Sequence, residues 1–281
     1  MAEQEVQSQQ PQELHKKKRK LYFRILLKLM KGRYKKPKFV YLGEEITTGG
    51  IILSNHEGTD APISLEMYVD RPLRMWGAWE MNSGLRKMYK YQTRVYYHEK
   101  KHWNLHLARL FCLLASPLTN IFYSGFDLIS TYRDGRFLKT LRESIEALKA
   151  GDNIVIFPED SSEGYKAELD GFYQGFIALA ELAYKKGMDV PIFVTYFQKS
   201  KKVYVIDKPV LYSELIKDGA TREEIALRLV NRCNELGKMD FSNSEDTASS
   251  ESQTQPQVQE EIAVAEETEE TAEKTEQVEQ A

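Results

Sequence analysis

The chain has 281 residues, 29% of them charged, with two cysteines and a formal net charge of −3. That length allows one domain with a substantial core. Two cysteines in apolar surroundings, with no secretory leader in view, exclude a disulfide-stapled secreted scaffold and leave Cys112 and Cys233 as reduced thiols of a cytoplasmic protein.

The net charge hides opposed ends. Residues 16–38 hold twelve Lys or Arg and no acid, whereas residues 242–281 hold twelve acids against one Lys. In chain order, residues 1–14 are polar and Gln-rich and are expected to be disordered. Residues 15–38 read as a basic segment, with a short amphipathic helix at 20–31 that carries Arg24, Lys28 and Lys31 on one face. A wide apolar face next to such a basic run suits an anionic membrane surface better than solvent or nucleic acid, and no nucleic-acid partner is expected.

The domain is expected to span 39–241. A strand at 39–42 is followed by the apolar run Ile51-Ile52-Leu53, a helix from about Asp60 through Tyr68, and a strand at 73–79. Residues 83–126 read as helical, aromatic and basic at first, then apolar. Their longest apolar run, 107–126, is broken by Arg109, Pro117, Thr119 and Asn120 and falls short of a membrane span. Beyond it come a strand at 126–131, a loop at 133–135, an amphipathic helix at 136–149 closed by Gly151, and a buried strand at 154–157. Helix 172–186, strands 190–197 and 202–206, and helix 221–237 complete the alternation. The pattern predicts a single α/β domain with a mixed, mostly parallel central sheet flanked by helices, a basic amphipathic N-terminal helix and a disordered acidic tail over 242–281.

Two strand ends carry chemistry. After Leu53 the chain reads Ser54-Asn55-His56-Glu57-Gly58-Thr59-Asp60, and after Ile156 it reads Phe157-Pro158-Glu159. Apolar strands that end abruptly in charge-bearing residues are how an α/β sheet presents a site at its carboxyl edge. If a helix has begun by His56, then His56 and Asp60 share a face, and a carboxylate on one ring nitrogen makes the other a better base. The alternative is a pair of helix caps beside an incidental histidine. Glu159, stiffened by Pro158, is either a substrate-positioning carboxylate or a capping acid. His98, His102 and His106 lie i, i+4, i+8, the spacing of a zinc-binding stripe on a helix, but Lys100, Lys101 and Arg109 crowd them and no HExxH pattern is present; no metal is expected. With Tyr91, Tyr96, Tyr97 and Trp103 they suit an interfacial surface.

Together these segments resemble the glycerolipid acyltransferase family, which includes the 1-acyl-glycerol-3-phosphate acyltransferases, from about residue 39 to 237. Ser-Asn-His56 with Asp60 resembles the family's first block. Residues 128–134, with Arg133 as the implied phosphate ligand, resemble the second. Residues 156–159 resemble the third, and residues 189–194 the fourth. The chain departs from the pattern in three ways. Three residues separate His56 from Asp60 where the family has four, Asp160-Ser161-Ser162 replaces Gly-Thr-Arg, and the stretch between the first two blocks is long.

The resemblance implies an O-acyltransferase of phospholipid synthesis, peripheral on the cytoplasmic face of a membrane. His56 would be the general base, oriented by Asp60. Arg133 would hold the acceptor's phosphate and Glu159 its hydroxyl, with Asn55 also at the substrate. Lys166, or a base from 83–109, would replace the missing arginine. The donor would be acyl-CoA or acyl-carrier protein, the acceptor a lysophospholipid or glycerol phosphate, and no cofactor is implied. Two other readings are a non-catalytic lipid-binding relative and a metal-dependent hydrolase built on the three histidines.

Overall fold

In the computed structural model the described residues are 19–47, 49–160 and 164–241. The expected disorder of 1–14 and 242–281, the basic residues 15–18, and the segment 161–163 after Glu159 lie outside them. One compact unit closes at Gly237.

Eight strands form one sheet: β1 (Lys38–Tyr41), β2 (Ile51–Ser54), β3 (Leu73–Ala78), β4 (Ile129–Thr131), β5 (Asn153–Ile156), β6 (Pro191–Gln198), β7 (Val203–Ile206) and β8 (Val210–Leu211). Their order is β1-β7-β6-β2-β5-β3-β4, with β8 paired to β6. Strands β6, β2, β5, β3 and β4 run parallel, while β7 and β8 pair antiparallel to β6. The expected mixed, mostly parallel α/β sheet is therefore what the chain builds. Strands β2 and β5 are buried along their whole length, as near-continuous apolar segments in the middle of a parallel sheet must be.

The helices are α1 (Leu21–Met30), α2 (Asp60–Tyr68), α3 (Leu85–Tyr91), α4 (Leu105–Tyr123), α5 (Phe137–Lys149), α6 (Gly175–Lys185), the single turn α7 (Tyr212–Leu215) and α8 (Arg222–Lys238). In α5, Leu141, Ile145 and Leu148 recur at i, i+4, i+7 and are buried, and Gly151 ends the segment at φ +82°. Helix α1 belongs to the core. Phe23 is fully buried, with its ring 5.6 Å from Phe122 and 5.1 Å from Phe126. Gly125 permits this contact, because a Cβ there would sit 2.1 Å from the Phe23 ring. Arg19 is likewise internal, with Nε and Nη2 donating to the fully buried Glu66 at 2.8 and 3.0 Å. One charge of the basic segment thus anchors the fold instead of facing a membrane.

Three local expectations need correction. The strand expected at 126–131 begins only at Ile129, because Phe126 turns into the core beside Phe23 and Leu128 is buried in the same core. The histidine stripe is broken: a π-helix (Gln92–Lys100) ends before His102, which takes φ +56°, and α4 starts afresh beyond Asn104, whose side chain caps the His106 N–H. The three rings therefore share no helical face, and no group of three or more metal-capable side chains occurs among the described residues. Finally, α4 runs unbroken through Pro117 for 19 residues. By length and composition it is apolar enough to cross a membrane, and 17% of it is buried. The residues that interrupt the apolar run in sequence are absorbed within this one helix, with the Thr119 hydroxyl donating back to the Ala115 carbonyl at 2.8 Å.

Candidate active site

The carboxyl ends of β2 and β5 are neighbours, and His56 and Glu159 extend from them. The backbone N–H of His56 donates to Glu159 Oε1 at 3.0 Å. Glu159 is buried and its main chain bridges Phe172, while Tyr173 N–H donates to the Pro158 carbonyl at 2.7 Å. The carboxylate is thus fixed by its backbone before it meets the histidine.

The His56 ring is half-buried and packs against two aromatic rings. Tyr165 stacks on it at 5.0 Å and 22°, and Phe157 lies 4.7 Å away at a tilt. Its Nδ1 is buried. Burial, followed by the charges of neighbours that include Glu159, pushes the Tyr165 hydroxyl well above the usual tyrosine range. That hydroxyl is therefore a neutral donor throughout the physiological range. Tyr91, Tyr96 and Tyr123, from the helical stretch between β3 and β4, lie within electrostatic reach of it.

Helix α2 begins at Asp60, where the sequence places it, so His56 and Asp60 do not share a helical face. Glu57 and Gly58 both take left-handed conformations (φ +43° and +69°). Two successive positive φ values send the chain around a tight corner, which costs energy at a non-glycine residue such as Glu57. The Asp60 carboxylate, largely buried, pairs through Oδ2 with Lys199 Nζ at 2.8 Å and through Oδ1 with Arg33 Nη1 at 3.5 Å. The hydrogen bond to Asp60 holds the Lys199 ammonium above its ordinary pKa. Tyr34 and Thr59 hydroxyls meet at 3.0 Å beside this pair. Asp60 thus ties the loop to the turn after β6 and to the basic N-terminal arm, through partners that spacing along the chain does not reveal.

Asn55 is buried, with Oδ1 accepting from Phe197 N–H at 2.7 Å and Nδ2 donating to the Phe197 carbonyl at 3.2 Å. Where the β2 backbone leaves the sheet, the amide takes over the β6 ladder. Both ends of the side chain are occupied by main chain, so it positions the His56 loop.

Arg133 is exposed beyond the end of β4, with its guanidinium 5.9 Å from the centre of the Tyr173 ring. A connected path therefore runs from Arg133 to Tyr173, through Pro158 and Glu159, to His56. Beside Arg133, Tyr132 stacks on Trp79 at 6.0 Å, and Lys87 lies 4.6 Å over the Trp79 ring. Arg136 lies over both rings but is engaged by Asp134, whose carboxyl it holds down at a pKa of about 2. Lys166 is exposed and paired with Asp170 at 2.6 Å. Sequence reasoning missed Tyr165, Lys199 and Arg33. The one available signal was that each lies near a singled-out segment or in the basic arm.

The arrangement offers a half-buried imidazole, a buried carboxylate and a cationic rim at the carboxyl edge of a parallel sheet. That is enough for proton abstraction from a bound hydroxyl beside an anionic group. No family model matches the chain, and no curated protein matches it in sequence. Among solved structures the chain is similar to the 1-acyl-sn-glycerophosphate (LPA) acyltransferase PlsC from Thermotoga maritima, at 16% identity over 79% of this chain and 80% of that one, with a TM-score of 0.45. A likeness at that level establishes neither family nor activity.

Proposed function

We propose that the protein is an O-acyltransferase that moves a fatty acyl group from a thioester donor to a hydroxyl of a glycerol-phosphate-type acceptor at a membrane surface. The observation that carries the reading is the contact between His56 and Glu159 at the ends of adjacent parallel strands, in segments that resemble the first and third blocks of the glycerolipid acyltransferases. His56 takes the acceptor's hydroxyl proton, and the oxygen attacks the thioester carbonyl. The tetrahedral adduct collapses to an ester and a thiolate, which receives the proton back from the imidazolium. An alcohol ionises far too weakly to react at neutral pH without such a base.

Glu159 fixes the histidine loop and lines the hydroxyl site. Arg133 binds the phosphate, with Lys87 as the second cation, since Lys166 is drawn to Asp170. Asp60 acts through the loop that it anchors. Replacing His56 by Ala should lower transfer of labelled acyl groups to lysophosphatidate by about a hundredfold or more. Turnover within about tenfold of the parent would defeat the assignment. Running the same panel with acyl-CoA and acyl-carrier protein, and with glycerol phosphate as acceptor, identifies donor and acceptor.

A further inference from the structure

Helix α4 is attached along one side and at its carboxyl end. Ala108, Cys112 and Ser116, at i, i+4, i+8, are fully buried, and Ser116 Oγ donates to Gln92 of the π-helix at 2.7 Å. Phe122 and Tyr123 at its carboxyl end are partly buried against the core, but most of the remaining apolar residues of the helix are exposed. Leu107, Leu110, Leu114, Leu118 and Ile121 recur along one stripe, with Leu114 79% and Leu118 71% exposed. An uninterrupted run of this kind is uncommon on a monomer's surface and marks an interaction site. The stripe adjoins a second one on α1, made of Leu21, Ile25 and Leu29, all more than half exposed. The two meet where the Tyr22 hydroxyl contacts Ser124 Oγ at 2.8 Å, one turn beyond Ile121.

Charge identifies the occupant. Lys20, Arg24, Lys28 and Lys31 are exposed along α1, and Lys101 and Arg109 are exposed at the amino end of α4, beside the partly exposed Trp103. No acid occurs in residues 16–43 or 100–126. A second copy of the chain on this face would bring like charges together. Apolar stripes rimmed by cations, with an aromatic ring at one end, instead match a leaflet with anionic headgroups. We propose that α4, together with the apolar stripe of α1, lies in one leaflet of an anionic bilayer without crossing it, its inner face staying on the protein. The contact expected of the basic segment alone thus becomes a two-helix platform, most of it supplied by the insertion between the first two motif blocks. This deepens the membrane partner of the reading above and rests on that reading only in expecting a lipid acceptor.

The test uses the full chain with one cysteine introduced at a time, Leu107→Cys, Leu114→Cys, Ile121→Cys or Leu227→Cys, each labelled with an environment-sensitive dye. The native Cys112 and Cys233 are buried and escape labelling. On phosphatidylcholine vesicles containing phosphatidylglycerol, the three α4 labels should shift to the blue and be quenched by spin-labelled lipids to similar depth. The label at Leu227, exposed on α8, should not change. A Leu114→Asp/Leu118→Asp variant, in which both altered side chains already face solvent, should keep its melting temperature and lose vesicle affinity by about tenfold or more.

Three results overturn the proposal: an α4 label that stays in water on bound protein, quenching deepest at Leu114 and shallow at both ends as in a spanning helix, or a blue shift without vesicles that tracks a concentration-dependent dimer. Depth quenching does not depend on turnover. Loss of the acyltransferase assignment with quenching intact would therefore sink the chemistry alone.

Discussion

Replacing Asn55 by Ala tests whether the His56 loop is held as described. The side chain is 1% exposed and satisfies both main-chain groups of Phe197, at 2.7 and 3.2 Å. Alanine leaves a buried N–H and a buried C=O without partners, and each such loss costs about 1–3 kcal/mol. Unless water enters, the total is about 2–6 kcal/mol, a large share of the roughly 5–15 kcal/mol that holds a domain folded. Asn55→Asp should cost nearly as much. It keeps an acceptor for the Phe197 N–H but turns a carboxylate oxygen toward the Phe197 carbonyl, in a site that penalises unpaired charge. Urea unfolding followed by tryptophan fluorescence, with an unchanged slope, measures both variants. A loss below about 0.5 kcal/mol for Asn55→Ala, the range of an ordinary surface change, would refute the clamp.

Gly125→Ala should push the Phe23 ring away and lower stability by about 1–3 kcal/mol. Limited proteolysis should then cut within α1 faster than in the parent, and unchanged cleavage would contradict the packing. Arg133→Ala should raise KM for a phosphate-bearing acceptor by about tenfold or more while leaving KM for the thioester alone, because a charge-assisted contact to one substrate is lost. An acceptor KM equal to the parent's would remove Arg133 from the site. Tyr196, whose hydroxyl donates to the Ala167 carbonyl, is pushed by burial from 10 to about 12. The folded state keeps a proton that the unfolded chain releases, so this contribution is intact below pH 10 and is lost as pH rises through about 12. Tyr196→Phe should flatten the fall of unfolding free energy across that window, and an unaltered slope would overturn the assignment.

The type of most long elements was legible locally, whereas β8, the single turn α7 and the π-helix were not expected. Apolar runs such as 51–53 and 154–156 announce buried parallel strands, and the i, i+4, i+7 spacing in 137–149 announces a helix packed on one face, because burial demands those periods. The polar residues after β2 and β5 marked where chemistry would sit. Which side chain meets which was decided in three dimensions. The strand order brings Glu159 to the His56 backbone across 103 positions. Two left-handed residues, Glu57 and Gly58, send Asp60 to Lys199 and Arg33 instead of the imidazole. A turn at His102 dissolves a regular histidine spacing. The exposure of α4 was equally out of reach, since an apolar helix reads the same whether its outer face meets a core, a partner or lipid. Periodicity encodes how one segment is buried, and only the crossing of several segments determines what each face finds there.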